Sequence, residues 1–261
     1  MCNAFLGIIC HLSPNISRSN DNIEMKIASN IHIIPGVTAN PYLLVDSDGL
    51  TLIDTGIPGS ANKILRYIKH AGYSRRDLNR ILLTHADYDH AGSLAALKKA
   101  TGARVYASLF EARAVASGQF PRSLKTDIII LKPVFALAEL LGRISPAHVD
   151  EHLSDGQVLP VLNGLRVVDT KGHTPGHLSF FAPSAGVLFT GDSILSVKKR
   201  LVGSHGALTW DQDKADAAVR KQFALRARIV CSGHGNVVMD GMARLLQLGD
   251  GFAASAAYQI L

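Results

Sequence analysis

The chain has 261 residues, 47% of them hydrophobic, and a formal net charge of +6. That length suits one domain with room for an embellishment, and that apolar share builds a large core, which excludes a mostly disordered chain. The 27 Lys and Arg residues are scattered and cluster only in "YSRRDL" (73–78) and "SVKKRL" (196–201). Both clusters read as solvated loops, so no basic stripe marks a nucleic-acid face. Three cysteines without a CxxC pair give no disulfide framework, and a reducing cytoplasm is the expected setting.

The opening "MCNAFLGIICHL" is apolar but lacks a basic start and a small-residue cleavage site, and it is far shorter than a membrane span. "SPNISRSNDN" reads as linker, and "MKIASNIHIIPG" from Met25 reads as the true start. Residues 1–24 are therefore expected to be a dispensable extension, and 25–261 one domain. "ANPYLLVDSDGLTLIDTG" (39–56) sets two apolar runs around Ser47-Asp48-Gly49, a hairpin pattern in which Gly supplies the unusual backbone angle. In "SANKILRYIKHAG" (60–72), Ser60 is the expected cap, Ile64, Leu65 and Ile68 the buried face, and Gly72 the stop. "RILLT" (80–84) reads as a short buried strand, "GSLAALKKATG" (92–102) as a helix and "ARVYAS" (103–108) as a strand.

"IIILKPVFALAELLGRI" (128–144) is apolar, but Lys132, Pro133 and Glu139 interrupt it, so no stable insertion in a bilayer is expected. It reads as a strand end followed by a helix, or alternatively as a lid or a homodimer surface beside an apolar pocket. Further on, "GLRVVDT" (164–170), "LSFFAP", "GVLFTGD" (186–192) and "ARIVCSGHG" (227–235) read as strands, and "DQDKADAAVRKQFAL" (211–225) as a helix. Cys231, in an apolar run, reads as a buried thiol.

Four of the apolar runs end in metal-ligand residue types. "LLTHADYDHAG" (82–92) crowds His85, Asp87, Asp89 and His90 into six positions; His173 stands in "KGHTPGH", Asp192 in "FTGD" and His234 in "SGHG". Loops after strand ends are where mixed folds gather their sites, and flanking glycines let the backbone turn or approach closely. Each fragment alone is weak; the ordered set of four is not. No GxSxG elbow and no GxxxxGK[ST] phosphate loop competes with it.

"THADYDH", "GHTPGH", "FTGD" and "SGHG", preceded by "LIDTG" (52–56), resemble the motif series of the metallo-β-lactamase superfamily, over residues 26 to about 236. The resemblance implies an α/β (α+β) fold, an αββα sandwich of two mixed β-sheets flanked by helices. It implies two divalent metal ions, with His85 and His173 on the first, Asp89, His90 and His234 on the second, and Asp192 bridging them. Asp54 would orient a ligand or its turn, and His177 would make a hydrogen bond beside the site. Asp87 stands where the family usually has a second His. A carboxylate binds the same metals at similar distances, and an unpaired buried one is costly, so Asp87 is read as a ligand too. Three aspartates and a bridging hydroxide cancel the charge of two divalent cations, whereas a His at 87 would leave one positive charge over. Zn is the expected ion, and because the less positive, carboxylate-richer centre suits harder metals, Mn or Fe is accommodated as well.

The function implied is attack of a metal-bridging hydroxide on the carbonyl of an ester, lactone or thioester, with Asp89 and Asp192 in the catalytic set. The "GHTPGH" and "TGD" pair resembles the thioesterase and lactonase branches. The glyoxalase II type carries a longer basic tail than the stretch after His234 here, which favours lactonases acting on acyl chains, and a small-molecule substrate with an apolar portion. Tyr88 and His205 are each either a substrate contact and proton donor or, respectively, a packed Tyr and an exposed loop His. Lys198, Lys199 and Arg200, with the carboxylate-rich cluster, keep a phosphodiesterase or phosphoesterase as the alternative. A non-hydrolytic iron-binding redox or sensor protein is the alternative outside hydrolysis.

Overall fold

Successive side chains of a strand face opposite ways, and in the strands of this chain both ways are apolar. Leu43, Leu52, Ile81 and Val105 enter one core, while their neighbours Leu44, Ile53, Leu82 and Tyr106 enter another. A sheet with two buried faces needs a layer on each side. The computed structural model, which describes residues 26–119, 121, 143–198, 200–241 and 243–244, supplies those layers.

Among the described residues, the first sheet runs in the order β1 (Lys26–Ala28), β2 (Ile31–Ile33), β3 (Tyr42–Asp46), β4 (Gly49–Ile53), β5 (Leu78–Leu82), β6 (Arg104–Ala107), β7 (Glu151–His152). β1 to β4 pair antiparallel and β4 to β7 parallel. The second sheet comprises β8 (Val158–Leu159), β9 (Leu165–Asp169), β10 (Leu178–Ala182), β11 (Val187–Gly191) and β14 (Ile229–Ser232), with β14 parallel to β11 at its edge. Phe180, Val187, Phe189 and Cys231 of this sheet pack against Tyr42, Leu44, Ile53 and Leu82 of the first, and the Tyr42 and Phe189 rings meet edge-on at 5.2 Å. Helices α1 (Ala61–His70), α3 (Leu94–Thr101) and α4 (Leu109–Ser117) cover the outer face of the first sheet; the short α2 (Tyr88–Ala91) opens the path into α3. On the outer face of the second, Val219 of α5 (Gln212–Phe223) meets Leu188 and Val230. The result is the αββα sandwich of two mixed sheets.

The expected hairpin forms as β3 and β4, and Gly49 takes φ +125°. A Cβ there would also lie 2.8 Å from the Asp77 carbonyl oxygen. The expected helix over 60–72 forms as α1, but its cap differs. Ser60 makes no side-chain cap bond; the Oγ of Ser93 instead accepts from the N–H groups of Ser60 (2.9 Å) and Ala61 (3.2 Å). Sequence spacing sees only local partners, and this one lies 33 positions away. "SVKKRL" is not a simple loop: β12 (Ile194–Val197) and β13 (Arg200–Gly203) pair as a hairpin with Lys198 at φ +48° in the turn. "YSRRDL" holds a 3-10 turn, in which Asp77 accepts from the Ser74 N–H at 2.7 Å. Residues 1–24, Lys199 and all but the last two residues of 128–144 lie outside the described residues, and so do the readings placed on them.

Parallel pairing decides where the strand ends point. β4 and β5 finish at one edge of the first sheet, and β9, β11 and β14 finish at one edge of the second. The two edges are tied: the Leu178 N–H donates to the Thr84 carbonyl (2.8 Å), and Asn40 N–H and Tyr42 Oη donate to the Gly233 and Ser232 carbonyls (2.6 and 2.7 Å). Among the described residues, no helix is long and apolar enough to cross a membrane.

Candidate metal centre

The loops after these strand ends bring together residues far apart in sequence, from His85 to His234. His173 Nε2 lies 3.2 Å and His85 Nε2 3.5 Å from Asp87 Oδ2. His234 Nε2 lies 3.1 Å from Asp89 Oδ2 and 3.4 Å from His90 Nε2. Asp192 sits between these groups, with Oδ1 3.3 Å from His90 and Oδ2 3.4 Å from His234 and 3.8 Å from His173. Three sets therefore have ligand atoms mutually within 4.8 Å and could each hold a metal ion: His85, Asp87 and His173; Asp89, His90 and His234; His85, His90 and Asp192.

The glycines of the motifs make room for this approach. A Cβ on Gly233 would stand 2.4 Å from Asp192 Oδ1 and 2.7 Å from the His90 ring. Gly191 takes φ +51°, and a Cβ there would meet His177 Nε2 at 2.7 Å.

Hydrogen bonds behind the imidazoles fix which nitrogen faces inward. The Thr84 hydroxyl donates to Asp54 Oδ2 at 2.8 Å, so its lone pairs are left for the Nδ1–H of His85, 2.9 Å away. His90 Nδ1–H donates to the same Asp54 oxygen at 2.9 Å. In both rings Nδ1 is then the outward, hydrogen-bonded nitrogen and Nε2 the one that faces the centre, the arrangement that carboxylate-backed histidine ligands use. Asp54 takes φ +59°, a left-handed angle that Asp tolerates better than most residues, and Thr55 adds an Oγ1 bond to the His90 carbonyl at 2.8 Å. Ser204 Oγ holds His173 Nδ1 at 2.8 Å. His177 is wired the other way. Its Nε2 accepts from the Asp192 N–H at 3.0 Å, and its Nδ1–H faces Thr170 Oγ1 at 2.8 Å, so it has no lone pair to offer a metal.

The charge balance of the bare cluster asks for cations. Burial disfavours the charged forms of His90 and His234, yet the aspartates around them, Asp192 foremost, outweigh it. His90 is held well above its ordinary pKa, and His234 is pushed up to about 10. Burial would likewise raise Asp192, but His234 and His90 hold it well below the usual carboxyl range. His85 Nε2 and Asp192 Oδ1 are buried and make no hydrogen bond, a costly state for polar atoms that nothing is to occupy. Inward imidazole nitrogens, three clustered carboxylates and two buried atoms without a hydrogen bond fit divalent cations, which would take the place of the protons on His90 and His234.

Side-chain exposure shows which way the cluster opens. His85 and His90 are fully covered, whereas Asp89 and His234 are 30% and 29% exposed. The cluster is therefore open to solvent on the Asp89–His234 side. Tyr88 is half-buried at the start of α2 and packs against the outer core of the first sheet. His205 is exposed; its Nδ1–H donates to the Gly203 carbonyl at 2.9 Å, and it follows Ser204, the partner of His173. Lys198 lies in the β12–β13 turn and Arg200 is exposed.

Glu111 was not legible as part of the site. It is fully buried on α4, and it accepts from the Ala86 N–H (2.8 Å), the Thr174 hydroxyl (2.6 Å) and the Gly176 N–H (3.0 Å). Burial pushes its carboxyl up to about 7, against those three bonds. A Glu in "SLFEARAV" carries no spacing signal; the one available hint is Ser108 three residues ahead, which caps α4.

Residues 34–234 match the family model described as the metallo-beta-lactamase superfamily. The probable metallo-hydrolase YflN of Bacillus subtilis is 29% identical over 229 residues, 80% of this chain and 85% of that protein. A hydroxyacylglutathione hydrolase of Cereibacter sphaeroides is 28% identical over 204 residues, 77% of this chain and 64% of the relative. Among solved structures, a metallo-beta-lactamase family protein from Thermus thermophilus superposes with a TM-score of 0.68 at 24% identity, covering 88% of this chain and 81% of that one. The subclass B3 enzyme BJP-1 of Bradyrhizobium japonicum gives 0.65 at 22%, covering 90% and 94%. At those identities the structural likeness speaks for the fold.

Proposed function

The chain belongs to the metallo-beta-lactamase superfamily, and on that premise we propose that it is a metal-dependent hydrolase of an ester, lactone or thioester. The observation that carries this reading is the fixed inward orientation of His85 and His90 around Asp192, with Asp87, Asp89, His173 and His234 completing two adjoining donor sets. His85, Asp87 and His173 would hold one divalent ion, and Asp89, His90 and His234 a second, with Asp192 shared between them. Bound there, such ions supply Lewis acidity and lower the pKa of a water towards neutrality.

The chain's own groups do the rest. Asp54 and Thr84 engage the Nδ1 atoms of His90 and His85, so that each ring turns its Nε2 towards the centre. Asp89, partly exposed at the mouth, would take up the proton of a water at its carboxylate. The His177 ring holds the backbone of Asp192 in register. The thioester gains weight from relatives named hydroxyacylglutathione hydrolase, and the substrate expected is a small molecule with an apolar portion. Zn is the expected ion; the carboxylate at 87 favours tolerance of Mn or Fe.

A panel of lactones, acyl thioesters and bis-p-nitrophenyl phosphate, run after reconstitution with Zn, Mn or Fe, tests this. Turnover of carbonyl substrates that disappears with chelator is the expected result. Turnover of the phosphodiester alone would replace the reading with phosphodiester hydrolysis. A visibly coloured iron protein that hydrolyses nothing would contradict it.

A further inference from the structure

We propose that Glu111 is a positioning residue that sets the separation of Asp87 from His173 by gripping the loop of each with one carboxylate. Its Oε2 takes the N–H of Ala86, between His85 and Asp87; its Oε1 takes the hydroxyl of Thr174 and the N–H of Gly176, on the loop that starts at His173. The first loop follows β5 of one sheet, and the second follows β9 of the other, so the contact spans the gap between the sheets at the level of the proposed centre. Both loops carry donors of one ligand set, whose atoms lie mutually within 4.8 Å.

The packing around this contact is tight. A Cβ on Gly176 would fall 2.3 Å from Ser108 Oγ and 2.6 Å from Phe110 Cβ, so the start of α4 lies directly on the loop, with no room for a side chain at 176. Ser108 Oγ accepts the N–H of Glu111 at 3.3 Å, and the α4 N-terminus favours a negative group in its first turn. An aspartate there would be one methylene too short to reach both loops. The carboxylate has four acceptor sites, and three are occupied by donors from the two loops, which suits a clamp better than an acid waiting to react.

This inference rests on the metal-dependent reading above. The test uses the full-length protein with Co(II) as probe. Equilibrium affinity is measured by chelator competition, the Co(II) visible bands are recorded, and the metal-free melting temperature is taken alongside, for wild type, Glu111→Gln and Thr174→Val. Gln keeps the size but turns an N–H group towards one of the donors; Val removes one donor and leaves Glu111 in place. Expected are a roughly 10–100-fold loss of affinity at one of the sites and displaced bands in Glu111→Gln, with a smaller loss in the same direction in Thr174→Val. Wild-type affinity and unchanged bands in both variants, whatever their melting temperatures, would overturn the proposal. A wild type that binds no Co(II) would instead defeat the underlying reading. If Glu111→Gln does not fold, Thr174→Val decides alone.

Discussion

Thr84 illustrates how one hydroxyl can govern two ligands. It donates to Asp54 and accepts from His85, while Asp54 holds His90, so the chain His85–Thr84–Asp54–His90 fixes both tautomers at once. Thr84→Val keeps the shape and the backbone bond to Asp54 Oδ1 but cuts that chain. We expect metal affinity about 10–100-fold lower by chelator competition. Wild-type affinity would mean that the rings are oriented by packing alone. At this scale the sequence named the seven residues of the donor sets, because motif spacing records which residue types follow each strand. It did not name Glu111, Thr170 or Ser204, because their partners are assembled only by folding and leave no local spacing. Asp87 was the conspicuous departure from the motif, and the structure sets its carboxylate between two imidazoles.

At the level of elements, the helix starts were the least legible feature. The Ser60 cap is replaced by Ser93, which closes two N–H groups of α1 from the loop between α2 and α3, and which donates in turn to the Ile57 carbonyl. Ser93→Ala is expected to cost about 1–2 kcal/mol in urea unfolding, the range for a lost cap, and more than Ser60→Ala. Equal effects would remove Ser93 from that role. The strands with clean apolar runs were legible to within a few residues. β1, β2, β7, β8, β12 and β13 were not: they are two to four residues long and lack the distinct strand-like run that made the equally short β6 and β14 readable.

Asp150 gives a pH signature at the same scale. Burial would raise its carboxyl, but the ion pair with Lys98 of α3 and the N–H of Val105 of β6, at 2.7 Å, outweigh it and hold it below the ordinary value. Because the folded value is depressed, the associated stability is complete above the unfolded value of about 3.9 and is lost as pH falls through the folded one. Asp150→Asn should therefore melt slightly below wild type at pH 6, by an amount kept small by partial exposure, with the gap closing below about pH 4. A gap that widens in acid would contradict this.

Across the whole molecule, two sheets with both faces apolar follow from strands that carry Leu, Ile, Val or Phe on consecutive positions, and the sandwich then places every ligand-bearing loop at one rim. The parallel pairs β4–β5 and β11–β14 decide this, since parallel neighbours must end at the same edge. What sequence could not supply was the stitching between the sheets by Asn40, Tyr42 and Glu111, which depends on distances across the core. The most direct test is elemental analysis of the full-length protein beside Asp192→Ala. We predict about two divalent ions per chain in the wild type, and loss of at least one of them together with hydrolytic turnover in the variant. A wild type that retains no metal after reconstitution, or an Asp192→Ala protein with unchanged content and activity, would contradict the account.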